Sequence, residues 1–117
     1  MELEILYTKN AEDLSSEKVV LKANTDCNIG SFYLTKAKQV DSEHISNNTS
    51  VGFWFPDIDV KTGDKIIIYT KEGSLKKKEN EYFTSLFLYM GKTKPIWTDN
   101  SCAVLMKIEN FQCKSTK

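Results

Sequence analysis

Short apolar runs separated by polar turns follow one another along the whole chain. Runs rich in β-branched and aromatic residues, and bounded by Gly, Pro, Asn or Asp, are typical of β-strands. The runs predicted as strands are Leu3–Tyr7, Lys18–Ala23, Ile29–Ala37, Val51–Phe55, Lys65–Thr70, Glu81–Met90 and Cys102–Ile108. With a shorter segment at Pro95–Trp97, the pattern predicts about 7–9 strands and an all-β sandwich or barrel.

The strand Lys65–Thr70 contains the strongest apolar run, because Ile66, Ile67 and Ile68 follow one another without a polar break. A continuous apolar run is typical of a strand that is covered on both faces. We therefore expect this strand to be central in its sheet.

The connections between the runs are polar. Asn10–Glu17 is expected to be a loop with one helical turn, Asn24–Asn28 a turn, and Gln39–Ser50 a loop. Residues 71–80 form a charged connection. The whole chain, residues 1–117, is predicted to be one domain, with a first strand and polar lead-in over 1–17 and a frayed tail over 113–117.

Charge and hydropathy narrow the classes of partner. The chain has 16 basic and 16 acidic residues, so any binding to nucleic acid or to an anionic surface requires a local patch. No apolar run approaches the ~20 residues of a membrane span, and the N-terminus lacks the pattern of an export signal. We therefore expect a cytoplasmic protein without a membrane partner.

The cysteines and the basic residues each exclude a kind of chemistry. Cys27, Cys102 and Cys113 are odd in number and widely spaced, which argues against a disulfide framework or a zinc site. All the basic residues are lysine. Because arginine is the usual residue for bidentate recognition of phosphates and bases, its absence counts against nucleic-acid recognition of that kind.

Three segments in order resemble the lamin-tail domain, an immunoglobulin-like β-sandwich. Val19–Leu34 is similar to the family's first strand, Asn-containing turn, Ile-Gly pair and second strand. Phe53–Pro56 with Val60–Tyr69 is similar to its Phe-Pro, apolar-x-x-Gly and central strand, and Ile96–Leu105 to its Trp, polar turn and final strand. The resemblance covers roughly residues 18 to 109 and implies a small free-standing member of the prokaryotic type.

Two features depart from this family pattern. Asn100–Ser101 stands where the family usually has Gly-Asp, and Ser31 stands where it often has a second glycine. The resemblance implies a scaffold or interaction domain, and it adds nucleic acid as a possible partner, because lamin tails are implicated in chromatin contacts.

Glycines and tryptophans give local expectations. Gly30 is expected where a side chain or a negative φ is awkward, and Gly63 at the positive-φ position of a turn. Trp54 and Trp97 are large enough to span the gap between two sheets ~10 Å apart. We expect at least one of them in the core, with its indole N–H bonded to a carbonyl.

The sequence favours no catalytic or metal site. The only histidine, His44, lies in a polar loop, and a small hydrolase would need it inside a deep pocket. Asp57, Asp59 and Asp64 lack the ligand pattern of a calcium loop. We predict no catalytic residues, no metal, no cofactor and no small-molecule substrate.

The candidate binding residues are Lys76, Lys77, Lys78, Tyr82 and Tyr89, in a predicted hairpin. Lysines with nearby aromatic rings can hold phosphates and stack bases. The alternative is a solvated hairpin whose lysines protect a sheet edge from pairing with other chains.

We therefore expect a non-catalytic domain that binds a protein partner, or a second copy of itself, through an exposed sheet face or an edge strand. Aromatic residues would anchor that partner, and Tyr33, Tyr69, Tyr82 and Tyr89 are predicted to point outward. The alternative function is weak, salt-dependent nucleic-acid binding through the lysine-rich hairpin.

Overall fold

The computed structural model describes residues 1–117, and they are all-β apart from one 3-10 turn. The strands are β1 (Leu3–Lys9), β2 (Lys18–Ala23), β3 (Cys27–Asn28), β4 (Phe32–Lys38), β5 (Ser50–Trp54), β6 (Asp59–Val60), β7 (Lys65–Tyr69), β8 (Lys76–Glu79), β9 (Thr84–Tyr89) and β10 (Ser101–Lys107). No helix in the structure is long and apolar enough to cross a membrane.

The strands form three sheets. One has five strands in the order β1-β2-β7-β9-β8, one has three in the order β10-β4-β5, and β3 pairs with β6 alone. All pairings are antiparallel except that of β7 with β9, which is parallel. This parallel pairing arises because β9 inserts between β7 and β8.

A single apolar core holds the two larger sheets together. Val19 and Leu21 of β2, and Ile66 and Ile68 of β7, contribute to it from the five-stranded sheet. Leu34 of β4 contributes from the three-stranded sheet, and all five side chains are fully buried. Because strand residues alternate between faces, their neighbours along the five-stranded sheet point away from this core.

The central position predicted for Lys65–Thr70 is confirmed, since β7 lies between β2 and β9. Its predicted burial on both faces is only half correct. Ile66 and Ile68 are fully buried, whereas Ile67, on the other face, is half-buried.

The structure contains ten strands where about 7–9 were predicted. The additional strands are short: β3 and β6 have two residues each, and β8 forms inside the predicted charged connection. The Asn10–Glu17 segment forms hydrogen-bonded turns and no helix.

The strand predicted from Ile29 begins at Phe32, because Ile29–Ser31 forms a 3-10 turn. The Asn28 side chain caps this turn by accepting a hydrogen bond from the Gly30 N–H at 2.8 Å. Gly30 has no positive φ but allows a close approach, since a Cβ there would lie 2.9 Å from the Asn28 Oδ1 and 3.1 Å from the Asp57 Cα. Gly63 does adopt the predicted positive φ, at 92°.

A core position and a hydrogen bond from the indole N–H to a carbonyl were predicted for the same tryptophan, but the structure shows them in different tryptophans. Trp97 is in the core and 3% exposed, but its indole nitrogen has no hydrogen-bond partner. Trp54 is 47% exposed, and its indole N–H donates to the Gly30 carbonyl at 2.8 Å. The expected bond to a carbonyl therefore belongs to the surface tryptophan.

Candidate functional site

Most lysines of the five-stranded sheet lie on one face, the face that points away from the core. On β2, Lys18 and Lys22 alternate with the core residues, and on β7 Lys65 does the same. This surface, called the lysine face below, contains Lys9, Lys18, Lys22, Lys65, Lys71, Lys76 and Lys78. Glu4 is the one acidic side chain that the strand register places there, opposite Lys22.

Strand register brings lysines directly opposite one another on this face. Lys22 of β2 is the cross-strand partner of Lys65 of β7, and Lys9 of β1 is the partner of Lys18 of β2. Like charges at directly opposed positions destabilise a sheet. Lys22 and Lys65 are both half-buried residues.

No lysine of this face has a carboxylate partner. The structure contains one ion pair of a lysine with a carboxylate, Lys107 with Glu2, and a contact between the His44 ring and the Asp41 carboxylate. Positive charge is therefore concentrated on this face, although the formal net charge of the molecule is zero. A surface of this kind attracts anions at long range and loses that attraction in salt.

Aromatic rings lie among the lysines and hold some of them in place. The Tyr69 and Tyr89 rings are stacked with centroids 5.5 Å apart. The ammonium groups of Lys18 and Lys71 lie 5.3 and 5.0 Å from the Tyr69 centroid. These distances are those of cation–π contacts, which fix the position of a charge without neutralising it.

The predicted binding residues are brought together only in part. Lys76 and Lys78 face outward from the edge strand β8, opposite Phe87 and Ser85, and Tyr89 lies on the same surface. Lys77 is opposite Leu86, a core residue, and points to the other side of the sheet. Tyr82 is in the turn between β8 and β9 and is 86% exposed.

The interior lysines of this face were not among the predicted site residues. Lys18 and Lys22 bound one predicted strand, and Lys65 begins another, so the period of two already placed them away from the core. The sequence pattern does not predict the register between β2 and β7, which places Lys22 opposite Lys65. The four tyrosines predicted to point outward are all half-buried or exposed.

Acidic side chains gather at another part of the molecule, around β3 and β6. Asp57 and Asp59 both accept hydrogen bonds from the Asn28 amide. Asp64 accepts from the backbone N–H groups of Lys61 and Thr84, each at 2.9 Å. These carboxylates hold turns together through hydrogen bonds.

His44 does not lie in the deep pocket that the small-hydrolase alternative requires. It is on an exposed loop, with Nδ1 2.7 Å from an oxygen of Asp41. The backbone N–H of Glu43, and then the His44 ring, lower the pKa of Asp41. The three cysteines are free thiols, and burial raises the pKa of Cys27.

The outer face of the three-stranded sheet is apolar instead of basic. Met106, Tyr33 and Trp54 lie side by side across its strands, and Met106 is 42% exposed. Phe111, from the segment after β10, packs edge-on against Trp54 with centroids 4.7 Å apart. The chain's own C-terminal segment thus covers part of this surface.

The chain matches none of the known protein families, and no curated protein resembles it closely enough to be matched. The functional argument therefore depends on the geometry of these surfaces.

Proposed function

We propose that this chain is a non-catalytic binding domain, an immunoglobulin-like sandwich of the lamin-tail type, and that its lysine face binds nucleic acid. Two sheets that share one core support the sandwich assignment. The positive φ of Gly63 at the turn before β7 agrees with the turn of that family pattern. The site is larger than the predicted hairpin and includes the interior strands.

The opposition of Lys22 and Lys65 is the observation that carries this proposal. Protection of a sheet edge explains lysines on β8, which is an edge strand, but not on β2 and β7, which are interior strands. Two directly opposed lysines that form no ion pair are an unfavourable arrangement in the free protein. A bound polyanion would neutralise both.

Nucleic acid fits the extent of the face better than other polyanions do. The lysines extend over four strand spacings, about 19 Å, which suits a long phosphate backbone. A membrane surface would also require apolar side chains to insert beside the charges. The exposed aliphatic side chains of the five-stranded sheet, Leu6 of β1 and Leu75 beside β8, lie singly at its opposite edges, and Trp54 and Met106 lie on the other sheet. Without arginine, lysines act as point charges, so we expect binding that tolerates any sequence.

The test is the charge reversal of the interior pair. Fluorescence anisotropy with a labelled mixed-sequence DNA of about 20 nucleotides would compare the wild type with Lys22→Glu/Lys65→Glu. We expect the double variant to bind at least tenfold more weakly. Lys38→Glu/Lys61→Glu reverses two exposed lysines outside the face and should stay within twofold.

Salt dependence provides a second measure of the same contact. If about five phosphates are neutralised, wild-type affinity should fall roughly a hundredfold between about 50 and 200 mM salt, and the slope should be shallower in the double variant. A wild-type protein that binds no nucleic acid at low salt would overturn the proposal. So would equal losses in the two double variants.

A protein partner that adds a strand to β10 is the second candidate. β10 pairs with β4 on one side and has no strand on the other. It is half-buried over Ser101–Leu105, and it carries one lysine, at its end. An edge strand of this kind is open to pairing. Light scattering across a tenfold concentration range tests self-pairing, and Val104→Lys should abolish any dimer that forms through this edge.

A further inference from the structure

We infer that the lysine face takes a single strand, whose bases stack on Tyr7 and Tyr82 at opposite margins of the sheet while the phosphates lie on the lysines between them. This inference rests on the nucleic-acid binding proposed above. It adds that the nucleic acid is single-stranded, and it identifies the two tyrosine rings that would distinguish a single strand from a duplex.

The central rings of the face are already in contact with protein groups. Tyr69 has Tyr89 stacked on it and two ammonium groups within cation–π distance. Tyr89 contacts Gly73 so closely that a Cβ at residue 73 would lie 2.4 Å from its ring. These contacts use the ring surfaces that a base would need.

The Tyr69–Tyr89 pair therefore positions charges and does not bind bases. Lys71 illustrates this arrangement, because its ammonium lies near the Tyr69 ring and also donates to the Ser15 carbonyl at 3.0 Å. An ammonium held in this way stays at the surface of the sheet, where a phosphate can reach it.

Two other tyrosines have open rings. Tyr7 lies on the edge strand β1, opposite Val20, and is 50% exposed. Val20 alternates with core residues of β2, so Tyr7 faces the same side as the lysines. Tyr82 is 86% exposed in the turn that connects β8 and β9. Neither ring has a stacked aromatic or cationic neighbour.

Tyr7 lies on the edge strand β1 and Tyr82 in the turn that joins the edge strand β8 to β9, so the strands that carry the interior lysines lie between these two residues. β1 and β8 are the two edges of the five-stranded sheet, about 19 Å apart across four strand spacings. A strand that crosses the sheet from one edge to the other passes the rows of lysines on its way. Base stacking on exposed rings tolerates any sequence, as expected for a site without arginine.

Stacking on these rings selects against a duplex. The faces of paired bases are covered by their neighbours in the helix, so a duplex offers the tyrosines nothing to stack on. A single strand offers free base faces, and each stacked base changes affinity roughly tenfold or more. Charge alone would instead favour the duplex, because its phosphates are denser.

The test compares Tyr7→Ala/Tyr82→Ala with the wild type on three probes: a thymidine oligonucleotide of about 20 nucleotides, the corresponding duplex, and inorganic polyphosphate. We expect the variant to lose at least tenfold in affinity for the single strand and to stay within twofold on the other two. Tyr7→Phe/Tyr82→Phe keeps both rings and should bind like the wild type.

The outcomes separate the two proposals. No wild-type binding to any of the three probes would remove the nucleic-acid function and this inference with it. Wild-type binding that Lys22→Glu/Lys65→Glu weakens, but that the loss of both rings leaves unchanged, would overturn the stacking inference alone. Tyr82→Ala by itself gives the same comparison if the double variant fails to fold, because Tyr82 is almost fully exposed.

Discussion

Two regions of this molecule hold ionisable side chains that form no ion pair, and they differ in what surrounds those side chains. Glu17 is fully buried. Its carboxylate accepts hydrogen bonds from the Glu12 N–H at 3.0 Å, the Thr70 hydroxyl at 2.6 Å and the Ile96 N–H at 2.8 Å. On the lysine face, Lys22 lies between Glu4 of β1 and Lys65 of β7 and forms no ion pair.

The difference distinguishes a side chain that holds the fold together from the side chains to which we assign a binding role. The donors around Glu17 come from three distant parts of the chain, so the carboxylate ties the polar lead-in to the end of β7 and to the segment before Trp97. Its hydrogen-bonding capacity is used within the fold. On the lysine face, Lys18 and Lys71 make cation–π contacts within the fold, whereas the opposition of Lys22 and Lys65 is unfavourable in the free protein and would be relieved by the partner proposed above.

The largest effect expected from this comparison is on Glu17. Glu17→Ala leaves three donors without their acceptor, two of them in contacts that are completely buried. We expect the free energy of unfolding to fall by about 3 kcal/mol. Urea denaturation measures this loss, and Glu43→Ala, at an exposed loop position, is the control. A loss below about 0.5 kcal/mol would show that the carboxylate is not the structural tie that its contacts suggest.

A smaller effect of opposite sign is expected on the lysine face. A double-mutant cycle of Lys22→Gln and Lys65→Gln isolates the repulsion between the two lysines from the effects of Glu4 on Lys22 and of the Phe83 ring on Lys65. We expect an unfavourable coupling of about 0.5 kcal/mol at low salt, with lower nucleic-acid affinity in each variant. Added salt should reduce this coupling, because it screens the repulsion. The contrast with Glu17 breaks down if the coupling is zero or favourable.

The sequence predicts much of the layout on which this comparison depends. The bounds predicted for Lys18–Ala23 are those of β2, and alternation with Val19 and Leu21 turns Lys22 away from the core. Both inferences use only neighbouring residues, whose periodicity is the strongest local signal in a chain.

The rest depends on contacts between distant segments. Residues 22 and 65 become opposed through the register of two strands that are far apart in the sequence. Glu17 lies in a segment that is polar throughout, and its donors belong to residues 12, 70 and 96. No local pattern distinguishes such a buried carboxylate from a solvated one, because burial is decided by what packs over it.

Lys107 gives the smallest effect, as the one lysine with a carboxylate partner. Its ammonium lies 2.7 Å from an oxygen of Glu2, and the two side chains are 43% and 34% exposed. The hydrogen bond from Lys107 lowers the pKa of Glu2 below its usual 4.5.

A carboxylate whose pKa is lowered by folding stabilises the folded state at pH values above its unfolded pKa, and it loses that contribution as the pH falls through its folded pKa. Wild-type thermal midpoints should therefore decline slightly more than those of Glu2→Gln as the pH falls below about 4.5. The effect should be small because the pair is exposed to solvent. An NMR titration that places the Glu2 pKa at or above its usual value would contradict the pairing, and Lys107 would then belong with the unpartnered lysines.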